Sequence, residues 1–501
     1  MPPHEVRPRS WRARALIHNA PMPRTHALCR LVVAGALGAA LAVAAAAAGA
    51  PRAAAAASAA PDAARADASQ LAFARARDRL VQVRTLLKDQ DSQASVGSGF
   101  LVSEQGHLIT NYHVVSQFAL RPAQYRLVFA AADGRQGALE LLDVDIVHDV
   151  ALLRVAEAGA LAGRGALAWR PADAPLQRGE RIYALGNPLD VGFAVVGGAY
   201  NGLAERSFLP TIFFGGSLSA GMSGGPALDD AGRVIGINVA TRRDGEQVSF
   251  LVPAVFAERL YARGRDAPPL REPMHARLAA QLRAHQEALV DAFVALAWRA
   301  AGNARVRVPV PQERFMRCWG SSTPAEARGL QFERSDCAMD SRVFVNAGLL
   351  TGYITVRHEA YDGRRLGWLR FAERYSRSFR NEGFGGGPQR TAPQCRERYV
   401  QGEGLPLRAV LCMRAYKRLP GLYDLSLLVA TLDAADSGVQ GRFDAYGISF
   451  DNAERLAAHY LAGFGAGGVA APAVPAAPAA SPASPSSAAP AASANARRPG
   501  R

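Results

Sequence analysis

A serine hydroxyl attacks a carbonyl at neutral pH only when a base takes its proton, and the base needs a carboxylate to hold its tautomer and steady its charged form. The first half of this 501-residue chain offers one candidate for each task. His113 closes the run Leu108-Ile109-Thr110-Asn111-Tyr112-His113-Val114-Val115, which follows Gly97-Ser98-Gly99-Phe100-Leu101-Val102 and a turn at Glu104-Gln105-Gly106. That pattern predicts a strand pair presenting His113 at its end. Asp149 stands directly ahead of the apolar run Val150–Val155. Ser223 sits in Gly221-Met222-Ser223-Gly224-Gly225-Pro226-Ala227-Leu228, where glycines permit backbone conformations closed to other residues and let a substrate approach closely. Taken singly, each has a bland reading: a core or surface histidine, a strand-start acid, a glycine-rich turn. The order His113, Asp149, Ser223, with the serine framed by that run, is what points to nucleophilic acyl transfer. The same turn would supply the backbone N–H groups of Gly221 and Ser223 to a developing oxyanion, donors of a kind worth roughly 10²–10³ in turnover.

Such residues need a rigid frame. From Leu80 to about Leu260 short apolar runs broken by glycine recur at Val96–Val102, His107–Thr110, Arg126–Ala130, Val150–Val155, Arg181–Leu185, Arg233–Val239 and Val248–Val252. Many short strands with frequent turns predict an all-β barrel domain.

These segments resemble the trypsin-like serine proteases, in particular the exported bacterial HtrA/Deg branch. The likeness runs through Gly97–Val115, Asp149–Val155, Leu185-Gly186-Asn187-Pro188, Gly221–Leu228, Gly232–Asn238 and Phe250–Pro253, covering about residues 75–262. It implies a chymotrypsin-like double six-stranded β-barrel, with His113 as general base, Asp149 as its orienting acid and Ser223 as nucleophile. The implied reaction is hydrolysis of polypeptide substrates through an acyl-enzyme, without cofactor or metal. A protease-fold binding or chaperone-like module with a vestigial site is the alternative. Two features depart from the family pattern: Met222 stands where asparagine is usual, and no PDZ domain is legible in residues 270–464, so PDZ-controlled activation is not carried over. A gapless alignment of the stretch before Ser223 puts Ser217 near the floor of the primary pocket, and an uncharged floor disfavours Lys or Arg there. Of the adjacent Phe213 and Phe214, at least one belongs to the core, because neighbours on a strand face opposite ways.

Around this domain the chain divides further. Residues 1–30 carry six arginines against one acid, and an uncharged run from Leu31 to Ala50 follows. This reads as a signal peptide over 1–50, with Met22 an alternative start, and predicts export to the periplasm without an integral membrane span after cleavage. An uncleaved anchor is the alternative, though the run is mostly alanine. Residues 51–69 read as a linker, 70–265 as the protease domain, 270–464 as an α+β accessory domain and 465–501 as a disordered Ala/Pro/Ser tail. A helix carrying Leu278, Leu282, Leu289, Phe293 and Leu296 on one face follows the prolines that mark the boundary. Cys29 precedes the apolar run; the other four cysteines fall in the accessory domain, and an even count after a leader predicts disulfides. Of three pairings, Cys318 with Cys337 and Cys395 with Cys412 closes the shortest loops.

The net charge of +15 is concentrated at the termini, and acids intersperse the remaining arginines, which disfavours nucleic-acid binding. The stretch Arg364–Arg380 interleaves Trp368, Phe371, Tyr375 and Phe379 with arginines. An amphipathic helix with its aromatics inward is preferred there to a site for an anionic polymer. Gly383–Pro388 reads as a flexible loop.

Overall fold

The computed structural model describes residues 68–239, 249–302, 305–324 and 326–467. The expected signal peptide and Cys29, nearly all of the linker and most of the tail lie outside them. A helix, α1 (residues 68–76), leads into a closed antiparallel barrel of β1 (Leu80–Leu87), β2 (Gln93–Leu101), β3 (His107–Thr110), β4 (Tyr125–Ala131), β5 (Gln136–Asp145) and β6 (Val150–Val155), in the order β1-β2-β3-β6-β5-β4. A second closed barrel follows, of β7 (Arg181–Gly186), β8 (Ala194–Leu203), β9 (Ile212–Phe214), β10 (Pro226–Leu228), β11 (Val234–Val239) and β12 (Ser249–Pro253). Alternation explains the inward faces: in β4, Tyr125, Leu127, Phe129 and Ala131 are buried and the residues between them are half-exposed. The fold is thus the chymotrypsin-like pair of six-stranded barrels.

His113 is not at a strand end. The strand stops at Thr110, and His113 is the second residue of helix α2 (Tyr112–Leu120). Tyr112, Val115, Ser116 and Ala119 are buried at helical spacing, a stripe disguised in the sequence by its β-branched valines.

Helix α3 (Ala254–Gly264) follows the second barrel, then α4 (His275–Val294). In α4, Leu278, Ala279 and Leu282 join the core of the first barrel, while Leu289, Val290 and Phe293 join a separate core beyond it. Leu296, expected on the same face, lies past the helix end and is 47% exposed. Gln281 fixes the barrel end of α4: its side chain accepts from the Ile146 N–H (2.8 Å) and donates to the Val144 carbonyl (2.7 Å).

The far core belongs to the accessory region, whose short sheet pairs β13 (Arg299–Gly302), β14 (Val306–Val310) and β24 (Gly465–Ala466). Its main sheet has seven antiparallel strands: β15 (Met316–Ser322), β16 (Gln331–Met339), β19 (Tyr353–Asp362), β20 (Gln394–Gly402), β21 (Leu405–Ala415), β22 (Tyr423–Thr431) and β23 (Ser437–Ile448), in the order β15-β16-β19-β23-β22-β21-β20. Helices α5 (Trp368–Ser378) and α6 (Phe450–Ala462) complete it. Disulfides join Cys318 to Cys337 and Cys395 to Cys412, each between directly opposed residues of neighbouring strands at the two edges of this sheet. In α5, Phe371 is buried and the Tyr375 hydroxyl donates to the Val439 carbonyl (2.8 Å), while Trp368 is exposed. The loop at Gly383–Pro388 is tied down: Phe384 is buried beneath the Arg414 guanidinium (4.3 Å), and Lys417 donates to the Gly387 carbonyl (3.0 Å).

A two-stranded hairpin of β17 (Val343–Asn346) and β18 (Leu349–Thr351) leaves this region toward the first barrel. Val343, Val345 and Leu349 are buried in the same core as Tyr112, Val115 and Leu282, and the Tyr112 hydroxyl donates to the Val345 carbonyl (2.9 Å). Among the described residues no helix is long and apolar enough to cross a membrane.

Candidate active site

Asp149 organises the start of α2. One carboxylate oxygen accepts from the His113 backbone N–H (2.8 Å) and the other from its ring Nδ1 (2.6 Å). The Asp149 carbonyl accepts from the Asn111 side-chain amide (2.7 Å) and the Tyr112 N–H (3.2 Å). The helix has no capping bond from its own preceding residue, so this carboxylate, arriving from the β5–β6 turn, satisfies an N-terminal donor and places negative charge at the positive end of the helix. Asp149 adopts a left-handed backbone (φ 56°), a conformation costing roughly 1–3 kcal/mol at a non-glycine residue and held here by those four bonds.

The ring nitrogen bonded to the carboxylate is Nδ1, which leaves Nε2 for other chemistry. Burial works against protonation of His113, but the Asp149 charge and its hydrogen bond outweigh that, so the imidazole pKa is raised above its ordinary value. Beside it, His148 repeats the pattern with Asp145: backbone N–H to one oxygen (3.1 Å), Nδ1 to the other (2.8 Å), with the ring stacked on Phe256. This second pair braces the turn that carries Asp149.

Ser223 is buried, at 6% exposure, in the turn that leads into β10 of the second barrel. Its carbonyl accepts from the Ser98 N–H (2.7 Å) on β2. A Cβ on Gly224 (φ 85°) would stand 2.2 Å from the Ser98 carbonyl oxygen and 3.0 Å from the Asn111 nitrogen, so the turn lies directly against the residues that open α2. Gly221 (φ 91°) likewise admits no side chain, since a Cβ would fall 2.4 Å from the Asn187 carbonyl oxygen. Met222 is buried, its backbone pressed against Gly186 of β7.

Ser98 is a site residue the sequence reading passed over. Fully buried, it donates through its hydroxyl to the Gly221 carbonyl (2.7 Å) and accepts there from the Asn187 N–H (2.8 Å). With its backbone bond to Ser223, it fixes both ends of the Gly221–Ser223 turn. The available signal was a small hydroxyl residue between two glycines inside the strand-like run Val96–Val102. Ser217 is exposed on the segment leading to that turn.

A cavity of about 900 Å³ opens beside the His113–Asp149 pair, lined among others by Phe213, Phe250, Phe344 and Leu350. Phe213 is 37% exposed here while Phe214 is fully buried in the second barrel. Among the described residues no cluster of three or more His, Cys, Asp or Glu side chains is arranged to hold a metal ion.

Residues 97–237 match the trypsin-like peptidase domain family. The chain is 34% identical over 170 residues to the serine protease HTRA1 of Xenopus tropicalis, covering 32% of this chain and 34% of that protein. It is 31% identical over 188 residues to the probable periplasmic serine endoprotease DegP-like of Ectopseudomonas mendocina, covering 35% and 37% of the two. With the chloroplastic protease Do-like 5 of Arabidopsis thaliana it shares 31% identity over 159 residues, 29% of this chain and 48% of that one. The chain therefore carries a trypsin-like serine protease domain. Within that class the domain is of the HtrA/Deg type. The chain spans about a third to a half of the length of these relatives.

Proposed function

We propose that this protein is a serine endopeptidase in which Ser223 attacks the scissile carbonyl, His113 accepts its proton at Nε2, and Asp149 holds the proton on Nδ1. The observation that carries the reading is the two-point grip of Asp149 on His113, at 2.8 and 2.6 Å, which fixes both the ring orientation and its tautomer. As the C–O bond to Ser223 forms, the carbonyl oxygen takes up negative charge facing the N–H groups of Gly221 and Ser223. Collapse breaks the C–N bond; His113 gives its proton to the leaving amine, and the carbonyl carbon remains as an ester on Ser223. Water, deprotonated by the same imidazole, then releases the acid and restores the serine. No step calls for a cofactor.

The raised pKa of His113 suits it to receive a proton, provided the pH keeps the free imidazole neutral. The primary pocket is assigned to the segment around Ser217. The chain is proposed to act outside the cytoplasm, in the periplasm, on envelope polypeptides in need of disposal. The charged leader-like terminus, the two disulfides and the similarity to a periplasmic DegP-like endoprotease support that setting. The accessory region is proposed as a domain of its own in sequence, over 270–464.

A fluorophosphonate probe tests the chemistry. Labelling of the intact chain that disappears in Ser223→Ala, together with casein turnover lost in the same variant, is the expected result. A chain that takes up no probe and cleaves no casein overturns the endopeptidase reading.

A further inference from the structure

The cavity beside His113 is walled only in part by the protease barrels. Its opposite wall is the hairpin β17–β18 of the accessory region. Along β17 Val343 and Val345 are buried in the core shared with α2, while Phe344 between them is only partly buried, packed on the edge of that core against the Tyr112 ring (centroids 6.4 Å apart). The Phe344 ring meets the His113 imidazole edge to face, with centroids 6.1 Å apart. Phe344 borders the cavity without filling it, and the His113 side chain keeps 30% of its exposure.

The hairpin does not stand alone. On the β8–β9 loop, which forms another wall of the same cavity, Phe208 packs edge-on against His285 of α4 (5.6 Å) and Phe315 (5.2 Å). Barrel and accessory region are thus tied on both sides of the opening, by Tyr112 to Val345 and by Phe208 to His285 and Phe315.

The charge around the cavity is lopsided. Arg178 pairs with Glu205 (3.3 Å), Arg317 with Asp340 (2.7 Å), and Asp149 is committed to His113. Arg342, one residue before β17, stacks on the Tyr353 ring (4.7 Å), and neither it nor Arg206 has a carboxylate partner among the described residues. Two exposed guanidinium groups therefore stand uncompensated at the rim of an apolar cleft.

We infer that the hairpin β17–β18 is a substrate-binding wall of the cleft, with Phe344 and Arg342 selecting polypeptide segments that carry a large apolar side chain beside a carboxylate. The apolar side chain enters between Phe344, Phe213 and Phe250, and the carboxylate meets Arg342. A single methylene in an apolar pocket already discriminates by roughly 10- to 200-fold. A rim cation adds charge selectivity and a faster encounter more than tight binding. This inference deepens the endopeptidase reading and rests on it for the fate of the bound segment, but the binding itself can be measured without cleavage.

The experiment uses the intact chain carrying Ser223→Ala, which holds a peptide without cutting it, and reads fluorescence anisotropy of short labelled peptides. A peptide with phenylalanine beside aspartate is expected to bind at least about 10-fold tighter than versions with alanine for the phenylalanine or lysine for the aspartate. Adding Phe344→Ala abolishes the first preference; adding Arg342→Glu, at an exposed position that leaves folding intact, reverses the second. Peptides that bind with no dependence on either side chain, preferences indifferent to both substitutions, or tighter binding in Phe344→Ala overturn the proposal, the last because it makes the ring an obstructing plug. If probe labelling of Ser223 fails while these preferences hold, the endopeptidase reading falls and the wall stands.

Discussion

Replacing Asp149 with asparagine changes almost no volume and tests the central geometry. The carboxylate accepts two bonds from one residue, at 2.8 Å from the His113 N–H and 2.6 Å from Nδ1. An amide has one oxygen to offer. With that oxygen toward the backbone, its NH₂ faces Nδ1, which must become an acceptor, and the ring proton moves to Nε2, the atom meant to receive a proton from Ser223. With the amide turned, Nδ1 keeps its proton, but an NH₂ opposes the helix N–H and strands that donor at a cost of about 1–3 kcal/mol. Either state disables the base or loosens the helix start, so kcat should fall by about 10³–10⁴-fold, equal to about 4–5.5 kcal/mol of barrier. The pH profile supplies an independent reading. Burial lowers the His113 pKa and Asp149 raises it above the ordinary value; without the charge only the lowering influence remains. Since the neutral ring is the working form, the acid limb of kcat/KM should move to lower pH in Asp149→Asn. Peptide hydrolysis measured across pH, with thermal melting of both proteins, checks this. A loss smaller than about 10-fold, or an acid limb that stays where it was while the protein remains folded, would refute the assignment of Asp149.

Two further outcomes follow from buried groups. Ser98→Ala removes a hydroxyl that serves the Asn187 N–H and the Gly221 carbonyl at once, leaving two buried backbone groups unmet at about 1–3 kcal/mol each. The melting temperature should drop and, because the Gly221–Ser223 turn loses its fixed orientation, kcat should fall by more than peptide affinity measured in the Ser223→Ala background; equal losses in both would make Ser98 merely structural. His358, buried against the Tyr460 hydroxyl (3.1 Å), has its pKa pulled down to about 3 by burial. The unfolded chain takes up a proton near pH 6.5 that the fold refuses, so the stability this residue contributes is complete above that pH and is lost as the pH falls, by about 1.4 kcal/mol per unit. Urea unfolding at pH 5 and 7.5 should show a steeper acid loss in the wild type than in His358→Gln; equal slopes would contradict the sign.

Much of this site was legible because its parts are local. The boundaries of β3 and β6 coincide with the apolar runs 107–110 and 150–155, since each run is bounded by turn residues and buried along nearly its whole length. Strands β1, β5, β8, β9 and β10 match none of the apolar runs: β8 contains three glycines, and β9 and β10 have three residues each, too few for alternation to register. The helix under His113 was hidden for the opposite reason, as Val114 and Val115 favour a strand and only the carboxylate arriving from Asp149 gives a helix start its cap. Gly97-Ser98-Gly99 reads as part of an ordinary strand, and periodicity does not show that Ser98 holds the Gly221–Ser223 turn across the barrel boundary.

The accessory wall was illegible for a deeper reason. Periodicity tells which side chains share a face and never what lies across from it. Val343, Phe344 and Val345 read as an ordinary short strand, with nothing to say that the valines meet α2 and the phenylalanine meets His113. The prolines before residue 275 invite a domain boundary, yet the helix after them is buried at one end in the barrel core and at the other in the accessory core. A hinge at that point would have to expose Leu278, Ala279 and Leu282 along with Val343, Val345 and Leu349. Exposing a buried leucine or valine costs about 1.5–3 kcal/mol, so opening the cleft by swinging the accessory region away is far more expensive than the rim contacts a substrate could offer in return. Entry to this cavity therefore has to use the existing opening, one wall of which is the hairpin that carries Phe344.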